Sequence, residues 1–187
     1  MNPVRNFLIA IPLTAAALLA AAPTAVAEPS PLYALVDTVA QRLQTAEAVA
    51  AYKWLNGGSI NDPARVEVVL DTVAADATAQ QVDAGYVRLA FQDQIDANEG
   101  IQYTRFGQWK LDPAAAPATA ADLAASREAI NGFNKTIVNE IALQLDTLLS
   151  PRCQAALTGA EQAVIATRAL DPMYQQALAI ATESYCR

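Results

Sequence analysis

Basic side chains lie among the apolar residues of several segments of this sequence, where a helical protein would bury them. At about 100° per residue, Arg42 and Lys53 fall within the apolar stripe that contains Leu35. Their spacing corresponds to about three helical turns, so both lie along one inward-facing line. Arg127 falls among the apolar residues of a later segment, and Arg65 at the margin of its own stripe. Together they predict an inward cationic surface.

A row of amides repeats this pattern in another segment. Gln94, Asn98 and Gln102 are spaced by four and fall on the face that carries Val87 and Phe91. Inward amides commonly bond to one another or to the backbone. They also supply hydrogen-bond donors for hydroxyl or ether oxygens of a ligand.

The cations have few acidic partners on these stripes, although the chain carries 19 Asp and Glu against 12 Lys and Arg. Asp62, at a helix start, and Glu99, at a stripe margin, remain possible partners. Because burying an unpaired cation is costly, the pattern predicts a pocket for a small molecule with more than one negative charge. Carboxylates are favoured over phosphates, since no glycine-rich phosphate loop is present. The alternative is that long side chains reach solvent or form ordinary buried ion pairs.

Helical periodicity must position these side chains. Apolar residues recur at helical spacing, and Asp62, Asp83, Asp122 and Asp171 stand where helices would begin. The predicted helices cover residues 32–54, 63–77, 83–109, 122–148 and 172–186. No strand-like alternation of useful length is present. The sequence therefore predicts an all-α, single-domain bundle of about five or six helices.

The composition excludes several kinds of chemistry. The chain has no histidine, which rules out Ser-His-Asp and Cys-His catalysis, and its two cysteines cannot form a four-ligand zinc site. A net charge of -7 argues against a nucleic-acid partner. We therefore expect no metal site and no nucleic-acid binding.

Residues 1–27 have the features of a secretory signal peptide. An apolar run over 7–22 follows a single basic residue, and 25–27 read Ala-Val-Ala, a small-x-small cleavage pattern. The run is shorter than the roughly 20 residues of a spanning helix, although an uncleaved anchor is the alternative. Cleavage after Ala27 would leave 28–187 as one secreted or periplasmic domain, with no membrane association.

Cys153 and Cys186 are the two cysteines of this chain. In an exported protein, a disulfide between them is the first interpretation, and a free reactive pair is the alternative. In the chain-entropy model, closing a loop of this length stabilises a protein by roughly 3 to 4 kcal/mol.

Six segments together carry a family resemblance. They are VAQRLQ (39–44), VAAYKW (49–54), DPARVE (62–67), DQIDANEGIQYTRFGQWKLDP (93–113), DLAASREAI (122–130) and ATESYC (181–186). Along nearly its whole length the mature chain resembles the secreted, all-helical chorismate mutases of the AroQ class, gamma subclass, particularly the exported mycobacterial enzymes. The resemblance implies conversion of chorismate to prephenate by a 3,3-sigmatropic rearrangement, without a cofactor or a covalent intermediate. It also implies a homodimer with each site inside one chain.

The resemblance assigns roles to the inward residues. Arg42 and Arg127 would bind the substrate carboxylates, and Arg65 would add a third guanidinium. Lys53 would reach the ether oxygen and a carboxylate, and Gln102 would donate to the same ether oxygen. Arg42, Lys53, Gln102 and Arg127 are thus the expected catalytic residues. Such a reaction needs a compact conformer and stabilisation of charge on the ether oxygen, but no proton transfer, which suits a chain without histidine.

Other positions have secondary roles in this comparison. Asp62 and Glu99 would meet the substrate hydroxyl or orient the cations. Asn98, expected to contact a carboxylate, stands where relatives have a hydroxyl residue, and Val69 where close relatives have glutamine.

Two other functions compete with a chorismate mutase activity. One is an exported, non-catalytic helical protein that binds a small dicarboxylate, and the other is a helical interaction protein whose inward charges form a buried network.

Overall fold

The computed structural model describes residues 29–187, which fold into helices joined by loops, with no strand in that range. The helices are α1 (Tyr33–Gln44), α2 (Ala46–Asn56), α3 (Pro63–Ala79), α4 (Ala84–Leu111), α5 (Leu123–Leu143), α6 (Leu145–Leu148), α7 (Cys153–Arg168) and α8 (Pro172–Ala181). Short 3₁₀ turns cover Pro113–Ala115 and Glu183–Tyr185. The predicted all-α bundle is confirmed. None of the described helices is long and apolar enough to cross a membrane. The expected signal peptide, 1–27, lies outside the described residues.

The described bundle has more helices than the five or six expected, partly because Thr45 interrupts the first predicted helix. Its backbone N–H and its hydroxyl both donate to the carbonyl of Arg42, at 3.2 and 2.7 Å. Its φ of -67° and ψ of -17° remain helical, so hydrogen bonding is interrupted while the handedness is kept. The first predicted segment is therefore two helices, α1 and α2.

Helix α7 was not among the predicted segments. Its buried face consists of Cys153, Leu157, Ala160 and Val164. Only two large aliphatic side chains, one heptad apart, mark this face, and alanines fill much of the helix. The apolar periodicity of α7 is consequently weak, although alanine favours the helical state.

Aspartate side chains fix the starts of four helices, as predicted. Asp62, Asp83, Asp122 and Asp171 each accept a hydrogen bond from a backbone N–H in the first turn of α3, α4, α5 and α8. Such caps satisfy donors that a helix start leaves free. They determine where α3, α4 and α5 begin, and hence the register of the polar residues on those helices.

Helices α1 and α4 form the centre of the bundle. Helix α4 packs against α2, α3 and α8, while α1 packs against α5, α7 and α8. Leu35 and Leu43 of α1, and Val87 and Phe91 of α4, are almost completely buried. The apolar stripes identified in the sequence therefore form the core.

An aromatic cluster joins the end of α2 to α4. The ring of Trp54 meets Phe106 edge-on at a centroid distance of 5.2 Å and Trp109 at 5.5 Å. Such pairs contribute beyond their buried area. The cluster fixes the last turns of α2, next to Lys53.

The two cysteines form the expected disulfide. Cys153, at the start of α7, is bonded to Cys186, with their Cα atoms 5.6 Å apart. The preceding residue, Tyr185, is fully buried, and its carbonyl accepts a hydrogen bond of 2.6 Å from the Tyr86 hydroxyl. The disulfide thus joins α7 to a segment packed on α4.

We expect the double change Cys153→Ser and Cys186→Ser to lower the free energy of unfolding by about 3 to 4 kcal/mol. The disulfide spans a sequence separation of 33 residues, and the unfolded chain gains freedom when it is removed. Urea unfolding of the purified variant and the oxidised wild type gives the difference. A loss below about 1 kcal/mol would contradict the loop-closure estimate.

Candidate active site

A cavity of about 680 Å³, a volume that includes open solvent at its mouth, lies among helices α1 to α5. Its lining includes all eight residues that the sequence singled out for the site: Arg42, Lys53, Asp62, Arg65, Asn98, Glu99, Gln102 and Arg127. Aliphatic residues complete the lining: Val49, Ile60, Val66, Val69, Ile95, Leu123 and Ile130. Five segments of the chain thus bring the predicted polar residues to one place.

Arg42 is a buried cation with uncharged partners. It is 4% exposed, its Nε donates to Asn134 Oδ1 at 2.8 Å, and its Nη1 donates to the Gln94 carbonyl at 3.3 Å. Its guanidinium also lies 5.7 Å from the centre of the Phe91 ring. Desolvation lowers the pKa of Arg42 from its ordinary value to about 10, so the side chain stays charged at neutral pH.

Lys53 is half-buried and points its amine at the backbone of the next loop. Its Nζ donates to the Ile60 carbonyl at 3.0 Å. Desolvation lowers the pKa of Lys53 below the ordinary 10.5, the charges of Glu99 and Asp62 oppose this shift, and Arg127 adds to it. Since an ammonium has three donors, the amine can bind a ligand while it keeps this carbonyl.

Two glycines return the chain toward Lys53 after α2. Gly57 and Gly58 have φ values of +80° and +121°, a region that strongly favours glycine. Gly57 and Gly58 therefore form the turn before Ile60, whose carbonyl accepts the hydrogen bond from the lysine amine.

Arg65 and Arg127 add two more guanidinium groups. Arg65 Nη2 donates to Asn131 Oδ1 at 2.9 Å. Desolvation lowers the pKa of Arg65, the charge of Arg127 lowers it further, and Asp62 opposes both. Arg127 is exposed but belongs to the lining. The mutual repulsion of these arginines favours a bound anion.

Glu99 and Asp62 are the acidic residues of the lining. Glu99 Oε2 accepts a hydrogen bond of 3.4 Å from Asn61. Desolvation raises the pKa of Glu99 above 4.5, despite the Asn61 bond, and Asp96 raises it further. Asp62 caps α3, with its Oδ1 accepting from the Arg65 backbone N–H at 3.1 Å. One oxygen of Asp62 therefore has a structural use.

Gln102 and Asn98 form an amide pair on α4. Gln102 is 3% exposed, and its Nε2 donates to Asn98 Oδ1 at 2.8 Å. Gln102 Oε1 is buried and has no partner among the described residues. Turning over both amides would give this oxygen the Asn98 N–H and free the Gln102 N–H groups for a ligand. The pair can thus present either a donor or an acceptor.

The third amide of the predicted row has a different place. Gln94 is completely buried beneath the cavity lining, and its Nε2 donates to the Tyr185 hydroxyl at 3.1 Å. Its backbone carbonyl, rather than its side chain, contacts Arg42.

Asn131 and Asn134, whose side chains accept from Arg65 and Arg42, were not predicted, because the prediction for α5 rested on its charged residue Arg127. Their three-residue spacing was the available signal.

The chemistry of this cavity suits a small polyanion. Four cationic side chains, two carboxylates and a buried amide line it together with aliphatic residues.

Part of the chain matches a known family. The family model for chorismate mutase type II matches residues 33–103, which contain seven of the eight predicted site residues.

A secreted relative shows the family to which this chain belongs. The secreted chorismate mutase of Mycolicibacterium smegmatis is 52% identical over 158 residues, which cover 84% of this chain and 87% of that protein. The chain belongs to the chorismate mutase family. The secreted chorismate mutase of Mycobacterium tuberculosis is 44% identical, over 84% of this chain and 79% of its own length.

Solved chorismate mutases share the fold. The crystal structure of the Burkholderia thailandensis chorismate mutase superposes with a TM-score of 0.80 at 31% identity, covering 84% of this chain and 99% of that one. The Burkholderia phymatum chorismate mutase gives the same TM-score at 28% identity. The resemblance to chorismate mutases that the six sequence segments indicated is confirmed.

Proposed function

We propose that this chain converts chorismate to prephenate in the cavity among α1 to α5, and that the eight predicted residues carry the reaction. The observation that supports this proposal is the convergence of those residues on one cavity. In the rearrangement the ether C–O bond breaks while a C–C bond forms inside the same molecule. No electron or proton has to enter or leave, so the protein acts by binding and electrostatics.

The arginines bind the two carboxylates and select the reactive conformer. Chorismate is flexible, and the two ends that become bonded must approach each other. Arg42 uses Nε and Nη1 for protein contacts, and its Nη2 has no hydrogen bond to the described residues. This nitrogen can therefore donate to a substrate carboxylate. Arg127 and Arg65 bind the second carboxylate at the more exposed side of the cavity.

Lys53 and Gln102 stabilise the charge that develops on the ether oxygen as the C–O bond breaks. Gln102 is buried and Lys53 half-buried, and interactions of this kind become stronger as water is excluded. Lys53 is held by Ile60 before substrate arrives, and the Gln102 amide is paired with Asn98 whichever way these two amides are turned. Preorganisation of this kind removes the reorganisation that water would need.

The remaining three residues bind other parts of the substrate. Glu99 and Asp62 accept from the substrate hydroxyl or orient Lys53, whose pKa they both raise against the effect of burial. Asn98 reaches a carboxylate through its amide once Gln102 is turned toward the ether oxygen. Val69 leaves an aliphatic surface at its place in the lining.

One experiment separates the proposed enzyme from the two alternatives. Residues 28–187 are purified with the disulfide intact, incubated with chorismate, and followed by the loss of chorismate absorbance. Turnover supports the enzyme. Thermal stabilisation by chorismate without turnover supports a dicarboxylate-binding protein, and neither effect supports an interaction protein.

The kcat/KM of the wild type is expected to be nearly flat between about pH 5 and 8, because the Gln102 amide does not titrate in this range. On the alkaline side, activity is lost as the pH rises through the lowered pKa of Lys53, so the loss begins earlier than for a lysine at 10.5. On the acid side, the Glu99 carboxylate is lost as the pH falls through its raised pKa. Initial rates measured across this range and beyond both of its ends provide the test. A steep loss toward neutral pH would exclude the role of Gln102.

We also propose a mature, exported homodimer that begins at Glu28. The two secreted relatives support export. Because one chain supplies every residue of the cavity lining, each protomer can hold a complete site. Mass spectrometry of the exported protein tests the cleavage after Ala27, and light scattering coupled to gel filtration tests the dimer. A different N-terminus or a monomeric mass would refute the corresponding part.

A further inference from the structure

Two asparagines of α5 hold two arginines of the cavity. Asn134 Oδ1 accepts from Arg42 Nε at 2.8 Å, and Asn131 Oδ1 accepts from Arg65 Nη2 at 2.9 Å. The asparagines are three residues apart and therefore lie on the same side of the helix. Each supplies an acceptor to a guanidinium and brings no charge.

This choice of partner differs from the rest of the described chain. Four of the five arginines that lie outside the cavity in residues 29–187 pair with carboxylates, in the ion pairs Arg88 with Glu67 and Asp71, Arg105 with Glu47, Arg168 with Asp37, and Arg187 with Asp83. Within residues 29–187, none of the cavity cations forms such a pair. Most of the arginines outside the cavity are thus paired with a carboxylate, whereas the most buried arginine, Arg42, is not.

The burial of the Arg42 contact makes the identity of its partner important. Arg42 is 4% exposed and Asn134 5%, so little solvent screens the interaction between them. Aspartate has nearly the same shape as asparagine and would hold the guanidinium equally well. It would also cancel the charge that a substrate carboxylate needs.

We propose that Asn134 is a positioning residue that orients Arg42 and, because it is uncharged, reserves the guanidinium for a substrate carboxylate. Its acceptor fixes Nε, and the Gln94 carbonyl fixes Nη1, which directs the remaining donors to the ligand. This inference rests on the proposed function, in which Arg42 binds a carboxylate.

The test is the substitution Asn134→Asp, with Asn139→Asp as the matched control. Asn139 is on the same helix, is exposed, and accepts from Gln80 at 2.8 Å, so its change adds the same charge away from the cavity.

We expect Asn134→Asp to keep or raise Tm, because it gives a buried cation a partner. We expect its kcat/KM for chorismate to fall by roughly 10- to 100-fold, mainly through a higher KM. This fold-change corresponds to the loss of one charge-assisted hydrogen bond. The control should stay within about twofold of wild type.

The result that overturns the inference is an Asn134→Asp variant with kcat/KM close to that of the control. If Asn134→Asp does not fold, Asn134→Ala decides: a folded variant with raised KM supports a positioning role, and an unchanged KM overturns it. Calorimetric titration with prephenate separates this inference from the proposed function. A wild type without turnover refutes the proposed enzyme. In that case the inference about Asn134 is supported if the wild type and the control bind prephenate and Asn134→Asp does not. It is overturned if Asn134→Asp binds prephenate as well as they do.

Discussion

Replacing Lys53 with alanine is expected to lower kcat by about 10²- to 10³-fold, the usual cost of removing one preorganised donor from a developing negative charge. The ammonium lies in the cavity lining and is fixed by one bond to the Ile60 carbonyl. Its attraction to the ether oxygen grows as the C–O bond breaks, so the transition state loses more than the bound substrate does. The effect should therefore appear mainly in kcat.

The fold should survive this substitution. Lys53 is only half-buried and forms no ion pair with the described residues, while the neighbouring Trp54 keeps α2 on α4. Circular dichroism and thermal unfolding check the fold, and initial rates with chorismate give kcat and KM. Lys110→Ala, at an exposed position of α4, is the matched control and should remain active. Near-normal turnover of Lys53→Ala would remove this residue from the mechanism.

Gln102→Ala is expected to reduce kcat over the same range of about 10²- to 10³-fold, because it deletes the second donor to the ether oxygen. The side chain is 3% exposed and has a single hydrogen bond, to Asn98. Its loss leaves a small space on α4 but no unpaired charge. Gln108→Ala, an exposed change on the same helix, is the control. Equal kcat for both variants would contradict the assignment.

The change Gln102→Glu tests the same donor by its pH dependence. Burial at this position would raise the pKa of the new carboxyl, and only its protonated form can donate to the ether oxygen. Activity should therefore be lost as the pH rises through that raised pKa, whereas the wild type stays flat. A flat profile for Gln102→Glu would show that the donor is not required.

Local rules predicted much of the fold and of the site. Each Asp that stands before an apolar period is the N-cap found in the structure, because capping depends on residues within one helical turn. The helical wheel also placed Arg42, Lys53 and Gln102 correctly in the lining, since an α-helix fixes which side chains share a face.

The remaining features depend on contacts between distant segments. The division at Thr45 comes from a hydroxyl that competes for one helical carbonyl, and threonine does this in some helices and not in others. Gln94 lies on the predicted face, but the burial of Tyr185 against α4 decides that its amide serves the core instead of the cavity. Asn134 reaches Arg42 across a separation of 92 residues, a pairing that no local pattern specifies.

The position of the disulfide has a consequence for the exported protein that we propose, since proteases are common outside the cell. Residues 153 and 186 enclose α7, α8 and the link between these helices in one covalent ring. Ala169 in this link is exposed, which makes it an accessible point for cleavage. A single cut there would leave both pieces bonded through sulfur. We therefore expect the nicked chain to remain one molecule, with the hydrogen bond from Gln94 to Tyr185 still able to form beneath Arg42.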